Sequence, residues 1–479
     1  MSSTTRTPGS TAAERWVLGL AASASFMVAL DALVVSSALD TIRLHLQASV
    51  SQLEWTLNAY SLSFAVLLMT AAAVGDRLGR RRVFVAGLTV FSAASAACAL
   101  APDAGTLIVA RAVQGVGAAM VTPVGLALLT VAIPPERRGW ALGIFSGIIG
   151  LAVLAGPVVG GAITQGLAWQ WIFWLNAPIG AVVIVLALRH IPESHGPATR
   201  LDLGGVAFAT AAAFALVWGL VRSDIVGWGS LEVIVALVAG VALAGTFVAW
   251  ERRVDSPMLP MGLFRSRAFS AANATSFLLF ASNFSTVFFM AQFQQIALGQ
   301  SPLVAGLRLL PWTVPTFLVA PRAGALADRI GERPLIAAGL TLQLIGMAIL
   351  AVLASPDQSY AATIVPMAVA GSGIALAMPA VQRAVLGAVE PRDIGKASGT
   401  YNSARWLGAV FGVAILVAVF TAHGGYGSAQ TFSDGYAPAL ATSAGLAALG
   451  VLTGLLIPRA ASADRRAANP RLGPRPAED

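Results

Sequence analysis

Charge is scarce in this 479-residue chain: 11% of its residues are Asp, Glu, Lys or Arg, against 57% apolar. A soluble domain carries roughly 25% charged residues. A soluble chain of this length would also divide into two or three separately covered cores. Too little charge is present to cover them, so an ordinary soluble protein is excluded. Cysteine is nearly absent: Cys98 is alone, and no intramolecular disulfide can form. Four histidines, none inside an apolar run, and a single cysteine suggest no metal cluster and no histidine proton relay. There is no Gly-x4-Gly-Lys-[Ser/Thr] loop, which excludes ATP hydrolysis by that route. The chain reads as a non-enzyme without a cofactor, and any uphill work would draw on an ion gradient. Lysine is confined to Lys396 among 30 basic residues, a mark of a GC-rich genome and not of mechanism.

What is abundant is apolar length. A membrane helix needs about 20 mostly apolar residues. That criterion predicts fourteen spans, at 16–38, 54–74, 83–101, 106–126, 139–163, 171–189, 203–221, 231–250, 268–292, 303–323, 334–354, 360–386, 399–421 and 438–458. The first is too long for a signal-peptide core, so no cleavable leader is expected. With the N-terminus inside, 25 of the 30 basic residues fall in cytoplasmic segments or at inner helix ends. Arg43 and Arg222 lie outside; Arg111, Arg308 and Arg405 lie within spans. Both termini are therefore expected in the cytoplasm of a bacterial cell, and the net charge of +8 is explained by the membrane and not by nucleic acid.

Self-similarity recurs at one spacing. Gly115-x-Gly117 with Pro123 matches Gly371-x-Gly373 with Pro379, and Pro135…Gly139…Gly143 matches Pro391…Gly395…Gly399, both at an offset of 256. Asp76-Arg77-Leu78-Gly79-Arg80-Arg81 matches Asp328-Arg329-Ile330-Gly331-Glu332-Arg333 at 252. Duplication of a six-helix unit follows. The organisation predicted is a cytoplasmic N-terminus (1–15), a six-helix bundle (16–189), two inserted helices with their flanks (190–267), a second six-helix bundle (268–458) and a disordered tail (459–479).

Four motifs carry chemistry. Asp76, Arg77, Gly79 and Arg80, with Asp328 and Arg329 in the second half, sit on tight inner turns. Ion pairs there that form in one state and break in another would make a gate. Gly156-Pro157-x-x-Gly160-Gly161 brings a proline kink and close packing to span 5. Arg111 lies inside span 4, beside Gln114, Gly115 and Gly117. A buried guanidinium is costly without a partner. Asp31 alone of the 22 acidic residues lies well inside a span. It sits roughly 6 Å beyond the middle of span 1 and Arg111 roughly 7.5 Å from the middle of span 4, both toward the outside. They can meet. Desolvation would favour the neutral acid and the arginine its anion, the opposition a switchable proton site requires. For substrate, Gln114, Asn273, Asn283, Gln292 and Trp312 are the candidate contacts.

These motifs together resemble the 14-spanner drug:proton antiporter branch of the major facilitator superfamily, over residues 16–458. Asp31-Ala-Leu-Val-Val resembles its span 1 motif, with Asp40 where the family has Pro. Ala72 to Arg81 resembles its loop 2–3 motif and Arg111 to Gly117 the span 4 motif with its essential arginine. Gly156 to Gly161 resembles its span 5 antiporter motif, with Ala152 shortening the glycine ladder. Trp169-Gln170-Trp171-Ile172-Phe173-Trp174-Leu175-Asn176-Ala177-Pro178-Ile179-Gly180 resembles the branch's span 6 signature, and Ser301-Pro302-Leu303 with Pro311 its span 10 start. The departures touch packing and loop positions and leave the charges of the motifs in place. The resemblance implies proton-coupled export of small lipophilic compounds by alternating access, from a monomer in the bilayer. A nutrient-importing symporter fits the span 5 and span 6 motifs less well. A receptor or scaffold would not need a buried Asp and Arg at one depth.

Overall fold

The structure, a computed structural model, describes residues 9–196, 202–390 and 393–458. The expected tail at 459–479 lies outside the described residues, as do residues 1–8 of the expected N-terminus. Among the described residues all regular structure is helical. The first half comprises α1 (Gly9–Leu46), α2 (Val50–Leu78), α3 (Arg80–Ala99), α4 (Ala104–Ala132), α5 (Pro135–Gly166), α6 (Trp171–Trp174) and α7 (Asn176–His190). Then come α8 (Leu203–Val226) and α9 (Leu231–Glu251). The second half comprises α10 (Arg267–Ile296), α11 (Pro302–Arg308), α12 (Leu310–Ile330), α13 (Glu332–Val352), α14 (Tyr360–Gly387), α15 (Ile394–His423) and α16 (Ala429–Leu455). The pairs α6/α7 and α11/α12 each follow one another as two pieces, and among the described residues twelve helices, or thirteen with the bent α2 taken as one span, are long and apolar enough to cross a membrane. The chain is a multi-pass membrane protein.

Polar residues set the starts of the helices. Ser49 and Gln52 form a reciprocal box at α2, and the side chains of Asp103, Asp202, Ser230, Ser266, Ser301 and Ser428 cap later helices. Most helices outrun the apolar spans, because a hydropathy window stops where polar faces begin while the backbone ladder does not. The clearest case is α1, which continues past Val35 and Ala38 through Asp40 and Arg43 to Leu46.

The halves repeat one set of contacts. In the first, α3 packs on α4, α2 on α4, α1 on α5 and α3 on α7; in the second, α13 packs on α14, α12 on α14, α10 on α15 and α13 on α16. Glycine explains two of these. A Cβ on Gly115 would overlap the Tyr60 carbonyl of α2, and one on Gly371 the Trp312 carbonyl of α12. Two residues on, Gly117 abuts the Gly87 and Phe91 backbone of α3, while Gly373 abuts Gly339 and Gln343 of α13. The turns after α2 and α12 also match: Gly79 (φ +109°) and Gly331 (φ +85°) both adopt the left-handed region that favours glycine.

The pair α8/α9 interlocks through Gly219 against Leu237 and Gly240 against Leu216, and α8 touches α2 and α15. The outer helix α9 leaves Leu231, Val235, Val238 and Val241 exposed by more than half. Such a continuous apolar face belongs in lipid. The halves meet at mid-depth, where Ser403 Oγ donates to the Ala65 carbonyl at 3.2 Å. They meet again at the face where α1 ends: Gln295 Nε2 donates to the Ser37 carbonyl at 3.1 Å, the Leu303 N–H to Gln165 Oε1 at 3.3 Å, and Arg43 lies 5.0 Å over the Tyr426 ring.

Candidate functional site

Asp31 and Arg111 form an ion pair of 2.6 Å with both side chains 1% exposed. Every atom of the carboxylate is engaged. Oδ2 accepts from the Arg111 guanidinium; Oδ1 accepts from Gln114 Nε2 at 2.9 Å and from Asn176 Nδ2 at 2.7 Å. The guanidinium also donates to Gln114 Oε1 at 2.7 Å and, through Nε, to the Thr56 carbonyl at 3.2 Å. The Tyr60 ring covers it at 4.2 Å. Asn176 is held in turn: it donates to Ser95 Oγ at 3.0 Å, and Ser95 donates to the Phe173 carbonyl at 2.9 Å. Helices α1, α4 and α7 thus each supply a polar group to one buried point, steadied by α2 and α3. A charged pair sealed from water is worth keeping only when hydrogen bonds replace its lost solvation, and here both carboxylate oxygens and the Nε and Nη1 of Arg111 are bonded.

Asn176 is the member that the reading of motifs left without a role. It lay in the span 6 signature, four residues from the middle of the predicted span. That is the depth of Asp31, so its depth was the available signal.

Arg111 and Tyr60 form part of the wall of a small cavity between the halves. Ala32, Ser36, Asn58 and Ser61 line it from the first half, and Phe284, Phe288, Trp406 and Val413 from the second. Trp406 bridges the two, 4.6 Å from the Phe64 ring and 5.6 Å from the Phe284 ring. Of the five candidate substrate contacts none lines this cavity. Gln114 belongs to the ion-pair network. Asn273 donates to the Phe269 carbonyl, Gln292 accepts from the Tyr426 hydroxyl, Asn283 is half-buried, and Trp312 packs on Gly371.

The turn after α2 is docked on the segment following α7. Asp76 pairs with Arg80 at 2.7 Å, and its carbonyl accepts from the Gly196 N–H at 3.0 Å. Glu193 caps the start of α3, accepting from the Arg81 N–H at 2.9 Å and packing its carboxylate on Gly79. Arg77 is exposed. The side chains of Asp328, Arg329 and Pro157 lie outside the described residues. Gly156 and Gly160 of α5 face Leu33 and Val34, beside Asp31 on α1, while Gly161 faces Pro302 across the halves. Arg308 and Arg405 do not simply reach for the surface: Arg308 lies 4.8 Å over Tyr360 and Arg405 5.1 Å over Phe280.

Two helical halves around a cavity, with the arginine of a buried ion pair in its wall, define a membrane transporter. The chain belongs to the major facilitator superfamily, whose family model matches residues 21–269 and 272–478. It is similar to the multidrug resistance protein Stp of Mycobacterium tuberculosis, 36% identical over 399 residues that make up 83% of this chain and 74% of that one. It is also similar to the tetracenomycin C resistance and export protein of Streptomyces glaucescens, 32% identical over 81% of this chain and 73% of that one. Among solved structures, a peptide transporter, POT, in complex with sulfate superposes with a TM-score of 0.68 over 94% of each chain at 16% identity. That likeness establishes the fold alone.

Proposed function

We propose that this protein is a proton-coupled antiporter that exports lipophilic drugs or antibiotics by alternating access. It sits in a bacterial cell membrane as a monomer with both termini in the cytoplasm, and uses the proton gradient in place of a cofactor. The observation that carries the reading is the Asp31–Arg111 pair, whose arginine lines the cavity between the halves. Protonation of Asp31 removes one charge of the pair and frees Arg111, Gln114 and Asn176 to rearrange. Arg111 faces the cavity, so a substrate there meets a surface that differs between the two protonation states. Drug and proton then favour different states, which is what exchange requires. Resistance and export in the names of the relatives support the direction. The arginine-rich inner loops support the orientation. On this orientation the contacts at Ser37, Gln165 and Arg43 close the outer face.

Everted vesicles carrying the protein test the reading. Addition of a transported compound, found from a resistance panel on an efflux-deficient host, is expected to dissipate an imposed pH gradient, and Asp31→Asn to abolish that response. An importing symporter gives the opposite sign of proton movement, and a receptor or scaffold gives none.

A further inference from the structure

Asp31 is not the only carboxylate sealed among the helices. Glu54, which the apolar spans place at a water-facing end, stands one turn inside α2 with 0% exposure. A favourable position near a helix N-terminus accounts for an acid there, but not for its burial. Its Oε1 accepts from Asn58 Nδ2 at 3.2 Å. Asn58, one turn deeper on the same helix, lines the central cavity together with Ser61 and Arg111. Between Glu54 and Asn58 the Thr56 carbonyl receives the Arg111 Nε. An edge of α2 thus runs as polar groups from Glu54 to the cavity wall behind which Asp31 lies.

On its other side Glu54 lies under the closure of the outer face. Tyr426 is held there between the Arg43 guanidinium and Gln292. Burial pushes its phenol up, Arg43 draws it down, and Asp40 and Glu54 push it up again. The elements beside α2 carry charged groups toward the same end. On α1 these are Asp31 and the Asp40–Arg43 pair (2.9 Å); on α4, Arg111 and the N-terminal cap Asp103. The Arg222–Glu232 pair of α8 and α9 stands behind Trp218, which Trp55 meets at 6.1 Å, and His423 ends α15.

We propose that Glu54 is a second proton-carrying group of this transporter, standing between the outer face and Asp31. This inference rests on the antiport reading. When the halves part at the outer face, the Glu54 carboxylate takes one proton from entering water. It gives that proton to water in the cavity, and the cavity water passes one on to the Asp31 carboxylate. Glu54 ends as the anion and Asp31 as the neutral acid.

Infrared difference spectra of the full-length protein in lipid, taken across a pH titration, resolve the carbonyl band of protonated carboxyl groups. The wild type is expected to lose one component of that band in Glu54→Gln and a different one in Asp31→Asn. After a rapid drop in pH, the Asp31 component is expected to grow at least about a hundredfold more slowly in Glu54→Gln, the lower end of what a placed proton carrier supplies. Glu54→Asp, which keeps the proton on a shorter arm, is expected to recover part of the rate. Size-exclusion profiles matching the wild type confirm the fold of each variant. No component lost in Glu54→Gln, or an unchanged rate at Asp31, overturns the proposal; a carboxylate that only pairs with cationic substrates gives that result. Failure of the antiport reading is separate: drug then moves no protons in wild-type vesicles, whatever Glu54 does.

Discussion

Arg111 places its guanidinium 2.6 Å from the Asp31 carboxylate although 80 residues separate them, and neither side chain meets solvent. Removing one partner of such a pair leaves the other as an isolated buried charge, at a cost of about 3–5 kcal/mol, whereas removing both charges is often neutral. Asp31→Asn is therefore expected to insert but melt at a lower temperature and to lose drug-induced proton movement. Asp31→Asn combined with Arg111→Gln is expected to recover the melting temperature and not the transport. Recovery of both by the double variant would remove the pair from the mechanism.

Arg111 engages Asp31, Gln114, the Thr56 carbonyl and the Tyr60 ring at once. A lysine offers a point charge without the planar fork. Arg111→Lys is expected to keep a fraction of the activity. Arg111→Ala removes the attraction that favours the carboxylate, so its pH–activity profile is expected to move upward or the activity to vanish. Drug efflux measured across a pH series decides; profiles identical to wild type in both variants contradict the role.

Asp76 and Arg80 pair at the turn after α2, and neither lines the cavity. Asp76→Asn is expected to bind drug with near-normal affinity while maximal transport falls several-fold. Equilibrium binding and initial-rate efflux on the same preparation separate the two effects, and a lost affinity with normal maximal rate speaks against a gate.

The cavity wall holds one cation, Arg111, with Tyr60, Phe284, Phe288 and Trp406, and no carboxylate among its lining residues. An unmatched charge on a substrate is costly there. Neutral, zwitterionic or monocationic aromatic compounds are expected to leave at least about tenfold faster than matched dications, a ratio that about 1.4 kcal/mol of unpaired charge already produces. Equal rates for the two sets refute the argument.

Asp202 pins the inserted helices. It caps α8 through the Gly205 N–H at 2.7 Å and accepts the Trp250 indole N–H of α9 at 2.7 Å. Burial pushes its carboxyl up, but the bonds from Gly205, Trp250 and Met258 outweigh that and hold it below the usual carboxylate range. A depressed acid stabilises the fold at neutral pH and stops doing so as pH falls through its folded value. Asp202→Ala is expected to cost about 1 kcal/mol at pH 7, and the gap from wild type to narrow below about pH 4. Thermal unfolding in detergent at both pH values measures it.

Much of this was legible along the chain. Apolar length set the helices, arginine placement set the expected orientation, and the offsets at Gly117/Gly373 and Asp76/Asp328 set the duplication. The depths of Asp31 and Arg111 already allowed their meeting. Glu54 escaped because a hydropathy window ends where polar residues begin, while α2 starts at Val50 and carries it inside. The candidate contacts Asn273, Asn283, Gln292 and Trp312 share the polarity or bulk of cavity residues, but composition does not say which way a helix is turned.

The sequence by itself determined that the chain crosses lipid many times, where its motifs recur, and which charges are too costly to bury alone. Those properties depend on transfer energies summed along one helix at a time. Tertiary structure decided the rest: Asn176 completes the Asp31 shell, Trp406 and not Trp312 faces the cavity, and Glu193 caps the start of α3. Each of these depends on the rotation of one helix about its axis, which only packing against neighbouring helices sets.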